Sequence, residues 1–301
     1  MKSETKSMVN SVCSKIVAVA ALLCTLPAVA MSPGIAIADT VPVVMRPVTS
    51  SYGIEVGSAH LADTYLTPLH YDGWHSAVSY SRTQAMGFDP ERWSMRLTLG
   101  GTVDHTQNPA RNATMWNFDF EASWGMTRRF LITDAVSAGI GGYTALNAGA
   151  LYLGRNGNNP AAAKGAWVVG VSGAATYPMR VGRLPVTWGL MAAMPLTGAF
   201  FSPQYGQLYY EIYLGDRRGL AHVAWPGNYR RIDARAWADL HFGGTTLRLG
   251  YHFDLRSTRA NDITTRSVTH AFSVAVVTRW LSVPMTSTTT APGTRIVAAS
   301  Y

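Results

Sequence analysis

The chain of 301 residues is 48% hydrophobic and only 14% charged, with a formal net charge of +8. Both cysteines, Cys13 and Cys24, fall in the first segment, which excludes disulfides and thiol chemistry from everything after it. The arginines are scattered without the basic stripe or helix that nucleic-acid binding needs, and no later run is long and apolar enough for a membrane-spanning helix.

Lys2, Lys6 and Lys15 precede an apolar run over residues 16–31, and small-residue cleavage patterns follow at Ala28-Val29-Ala30 and Ala36-Ile37-Ala38. Residues 1–38 therefore read as a secretory signal peptide. Pro27 and the shortness of the run argue against a membrane anchor, and Leu23 before Cys24 fits poorly with lipidation there. Residues 39–50 read as a periplasmic lead-in, residues 51–280 as one barrel, and residues 281–301 as a C-terminal tail. Within the tail, 286–294 reads as disordered and 295–301 as a possible short strand.

Polar and apolar residues alternate with period two over 52–62, 74–83, 94–104, 115–125, 136–153 and 166–177. The same pattern recurs over 185–193, 206–214, 220–225, 232–242, 245–256 and 268–280. The clearest pair surrounds Gly243-Gly244, which reads as a type I′ hairpin turn, because both glycines can take positive φ. That turn sets Phe242 opposite Thr245, Asp239 opposite Arg248, Trp237 opposite Gly250 and Arg235 opposite His252. Opposite charges then meet on one face, and small residues meet large ones on the other.

Export with low charge and no spanning helix leaves a secreted β domain or a closed barrel in an outer membrane. Aromatic placement favours the second. Trp116 and Trp124 share a face eight residues apart, roughly 20 Å along the membrane normal for a strand tilted by about 40°. With alternating strand directions, Trp93, Trp124, Phe242 and Trp280 fall near the periplasmic side, and Trp74 and Trp116 near the outer side, as a membrane girdle. Gly243-Gly244 and residues 216–219 read as tight periplasmic turns, and 105–111, 154–160 and 257–265 as longer outer loops. The fold class is all-β: an antiparallel up-and-down transmembrane β-barrel of about 12 strands, within a range of about 10–14.

Three segments, DTYLTPLHYDG at 63–73, FFSPQYGQLYYEI at 200–212 and TLRLGY at 246–251, resemble an uncharacterised family of exported proteins of Bacteroidota, a domain of unknown function. The resemblance covers about residues 50–280 and implies an outer-membrane β-barrel in the cell outer membrane, with no activity attached.

The inward face would carry Glu55, Arg96, Asp119, Glu121, Glu211, Asp233, Arg235, Asp239, Arg248, His252, Asp254 and Arg256 as a lumen network. Charge is tolerated inside a barrel when it is paired, and the mixed signs allow pairing, so the expected role is structural or a narrow porin-like pore with a salt-bridged lumen. The rivals are an outer-membrane lipid hydrolase and a secreted soluble β-barrel binding protein. For the hydrolase, His75 shares its face with Ser79 and Ser81, and His270 lies near Ser273 on the opposite face. No third catalytic member stands out, and scattered histidines make no metal site. No cofactor or metal is expected. Outer-membrane lipids and the barrel-assembly machinery are the expected partners, with Arg111, Arg155, Arg259 and Arg266 in outer loops facing anionic headgroups.

Overall fold

The computed structural model describes residues 44–281, except 134 and 158, together with residues 295–299. The expected signal peptide and the segment 286–294 lie outside the described residues. The described chain forms strands β1 (Val44–Met45), β2 (Val48–Asp63), β3 (Thr67–Ala85), β4 (Trp93–Gln107), β5 (Thr114–Leu131), β6 (Ser137–Leu153), β7 (Ala161–Val181) and β8 (Leu184–Phe201). A short helix α1 (Tyr209–Tyr213) follows, then β9 (Ala221–Ala224), β10 (Tyr229–Phe242), β11 (Thr245–Ala260), β12 (Ile263–Trp280) and β13 (Arg295–Ile296).

Each long strand pairs antiparallel with its chain neighbour, and β12 pairs with β2. Pairing of β10 with β8 closes a ring of ten strands, β2 to β8 and β10 to β12. Closure matters because an open edge would leave a row of unpaired backbone N–H and C=O groups. One flaw remains at the seam. The β8 ladder to β10 covers residues 186–193 and that to β9 covers 198–201, so residues 194–197 pair with neither. Pro195 sits in this gap, where its missing N–H costs nothing.

The β10–β11 hairpin has the register read from the sequence, from Phe242↔Thr245 to Arg235↔His252 and beyond. The turn type differs, since Gly243 has φ +65° and Gly244 is not in the positive-φ region, as in a type II′ turn. A positive-φ pair occurs instead at Asn261 (φ 50°) and Asp262 (φ 59°), which join β11 to β12 in two residues. The expected long loop over 257–265 is therefore strand and tight turn, because the alternation runs on through its polar residues.

The connection between β8 and β10 also departs from expectation. Two of the twelve expected strands lie here, and neither is part of the wall as a full strand. Within residues 206–214 the chain forms α1, preceded by Gly206 (φ +80°) and followed by Gly215 (φ +114°), with the Glu211 carboxylate accepting the Leu208 N–H at 2.8 Å. Residues 216–219 accordingly belong to the end of the barrel opposite Gly243, and not to the side of the Gly243-Gly244 turn. β2 begins at Val48, inside the expected lead-in, and the ladder β1–β13 joins Val44 and Met45 to the tail.

Candidate functional site

Inward positions of β10 run Tyr229, Arg231, Asp233, Arg235, Trp237 and Asp239, and those of β11 run Arg248, His252, Asp254 and Arg256. Period two therefore delivers a column of alternating charge into the lumen from each strand. Arg231 is the hub, with its side chain only 7% exposed. Its fork donates to both oxygens of Asp254 at 3.0 and 2.9 Å, and it also reaches Glu121 on β5 across the lumen. Arg235 donates to Glu55 at 3.1 Å and to Asp233 at 3.2 Å. His252 Nδ1 lies 2.6 Å from Glu55, while its Nε2 is 3.4 Å from Asp233 without hydrogen-bond geometry. Arg256 pairs with Asp119 at 3.3 Å, and Asn147 donates to Glu121 at 2.7 Å. These bonds tie β2, β5, β6, β10 and β11 into one belt across the barrel.

Below the belt, toward the end that carries Gly243, Arg248 grips Asp239 through two bonds of 2.7 and 2.8 Å and lies 4.8 Å over the Trp237 ring. Trp237 fits against the wall because its neighbours across both ladders, Gly189 and Gly250, carry no side chain; a Cβ on Gly189 would come within 2.1 Å of the indole. A chamber of about 610 Å³ extends from the belt to this end, where Glu91, Arg92, Leu131 and Ala299 line it.

Above the belt is a smaller cavity of about 140 Å³. His75 is buried there against Asp104 at 2.6 Å, and Asn117 donates to the second oxygen of Asp104 at 2.7 Å. Lys164 pairs with Asp63 at 2.5 Å. Over these groups sits an apolar cluster of Leu61, Leu66, Tyr71, Met115, Leu151 and Leu153. The connecting segments are stitched down on top of it: the Tyr65 hydroxyl donates to the Gln207 carbonyl at 2.6 Å. Burial, with the Asp63 and Glu211 carboxylates nearby, pushes that hydroxyl up to about 12, so it stays a donor.

Eleven of the twelve lumen residues expected from sequence do point inward, but Arg96 pairs with no described carboxylate and contacts Met191 Sδ instead. Glu211 is the exception: it caps α1 outside the barrel and joins no network. Arg231, the hub, was missed because the strand was started at Ile232; the alternation through Tyr229 and Arg231 is the signal that would have found it. His75 does share the face of Ser79 and Ser81, yet its Nδ1 binds Asp104 and its Nε2 has no hydrogen-bond partner among the described residues, so it is bonded to neither serine. His270 faces outward and meets the Tyr251 hydroxyl at 2.6 Å. Trp74, Trp93, Trp116, Trp124, Phe242 and Trp280 all stand on outward positions, with Trp74 and Trp116 edge to face at 6.2 Å. Trp167 and Trp188 occupy outward positions as well.

Fold and lumen together define a closed antiparallel β-barrel crossed by a belt of ion pairs. The chain belongs to the family described as "Protein of unknown function (DUF3316)", whose model matches residues 16–286. No curated protein matches it. Among solved structures it is similar to the outer membrane protease OmpT of Escherichia coli, with 7% identity over 78% of this chain and 97% of that one, at a TM-score of 0.44. It is also similar to the translocator domain of the autotransporter NalP of Neisseria meningitidis, with 14% identity over 80% and 90% of the two chains, at a TM-score of 0.36.

Proposed function

We propose that this protein is a structural barrel of a Gram-negative outer membrane, of Bacteroidota as the sequence resemblance implies, with a lumen closed to through-flow. The observation that carries the reading is the pairing of a wet-type lumen with an apolar exterior. Ile54, Val78, Phe120, Ile140, Leu190 and Phe272, from six different strands, are all exposed, Phe272 to 71%. An apolar band wrapped round a closed wall is far larger than the patches soluble monomers leave in water, and lipid is the solvent that suits it. The outward tryptophans near the two ends of the strands would sit at the two headgroup layers.

Closure is supported at two levels. Belt arginines and carboxylates are spent on each other, so removing them from the path would cost several ion pairs. The apolar cluster that includes Leu66, whose carbonyl accepts from the Asn156 amide at 3.1 Å, then covers the end opposite Gly243. The end with Gly243 would be periplasmic, and the chamber would open there. Flotation with liposomes tests the membrane reading: refolded protein is expected to rise with lipid and to migrate differently on gels before and after heating. A monodisperse, lipid-free species in plain buffer would contradict it and favour a soluble binding protein.

A further inference from the structure

We infer that the lower chamber is a binding site for a small hydroxylated anion, of the sugar-acid or sugar-phosphate class, with Arg96 as its anchor. Among the described residues, the four arginines of the belt and of the wall below it are held by carboxylates: Arg231, Arg235, Arg248 and Arg256 all have one within ion-pair distance. Arg96 has none. Its contact is the Met191 thioether at 2.6 Å, and a thioether is a weak acceptor for a guanidinium with five N–H groups to place. Both residues line the 610 Å³ chamber, whose size falls in the range of small-molecule sites.

The wall beside Arg96 suits hydroxyls. Ser81, Thr98 and Ser123 lie in one register row across β3, β4 and β5, one rank toward the belt from Arg96. All three line the chamber, and none of their hydroxyls has a hydrogen-bond partner among the described residues. A second cation, Arg129, stands at the mouth, bound only to the Ala298 and Pro90 carbonyls at 2.8 and 2.5 Å and not to any described carboxylate. The unspent charge of the chamber is thus positive, and its unspent hydrogen-bonding groups are a guanidinium fork and a row of hydroxyls. A carboxylate or phosphate takes the fork through two charge-assisted bonds, and ligand hydroxyls take the serine–threonine row. A neutral sugar satisfies the row but not the fork, and inorganic phosphate the fork but not the row.

The site depends on lumen geometry and stands whether or not the barrel conducts. Calorimetric titration of the refolded full chain in detergent, with galacturonate, glucose 6-phosphate, inorganic phosphate and glucose as probes, tests it. Saturable binding of galacturonate or glucose 6-phosphate is expected, with glucose and phosphate each weaker by about tenfold or more. Arg96→Gln should weaken the anions by about tenfold or more and leave heat-modifiable mobility unchanged. Should Arg96→Gln fail to fold, Thr98→Val, which keeps the charge, is expected to weaken the hydroxylated anions and spare phosphate. No anion binding to the parent chain, equal affinity for glucose, or unchanged affinity in the folded variants would overturn the site.

Discussion

Arg231 shows how much depends on a single inward position. It lies at 7% exposure between Glu121, Asp233 and Asp254, and three carboxylates around one guanidinium are tolerable only while the guanidinium is there. Arg231→Met should therefore destabilise the barrel by about 3–5 kcal/mol, the usual result of stranding buried charge. Urea midpoints of heat-modifiable mobility would measure it, and a loss under about 1 kcal/mol would mean that water reaches these carboxylates freely. Residues of this kind are legible in sequence only when the strand ends are right. Eleven of the expected lumen positions were recovered by parity alone, whereas Arg231 was lost to a boundary placed one residue late. Glu211 was gained wrongly, because tyrosines and leucines around a lone carboxylate look alike in a strand and in a short capped helix. The His75–Asp104 contact was invisible for a different reason: it needs the register between β3 and β4, and no tight turn fixes that register in advance.

At the scale of elements, the hairpin at Gly243-Gly244 is the best test of orientation. Leu249 is an outward, exposed position of β11, and Thr246 is inward, bonded through its hydroxyl to His241 Nδ1 at 3.0 Å. Leu249→Arg puts a cation on the apolar band and should cost roughly 2–4 kcal/mol, with a matching loss of folded yield in liposomes. Thr246→Arg adds a charge to the polar lumen and should fold nearly as well. Comparable yields for the two, or the reverse order, would mean that the faces are assigned the wrong way round. Ten of the twelve expected strands are in the wall, and the two that are not both lie between β8 and β10. Alternation over six to nine residues does not by itself distinguish a strand from a helical turn, and Gly206 and Gly215 flank the helix that forms at the first of the two. The expected contrast between short inner turns and long outer loops is only partly present, since two-residue turns join strands at both ends, at Gly243 and at Asn261.

For the whole molecule, the central claim is that the lumen is blocked twice, by the Arg231 belt at mid-height and by the apolar cluster around Tyr71 and Met115 above it. The composition already pointed to a barrel, because low charge, no spanning helix and regular alternation leave few other folds. Whether ions pass was not legible there, since the same charged residues line a pore or fill a plug depending on how they pair across the ring. Conductance of the refolded protein in a planar lipid bilayer decides between the two, with heat-modifiable mobility confirming that the barrel formed. A folded barrel that stays electrically silent across the applied voltage is the expected result; discrete, reproducible current steps from the same preparation would contradict the closed lumen.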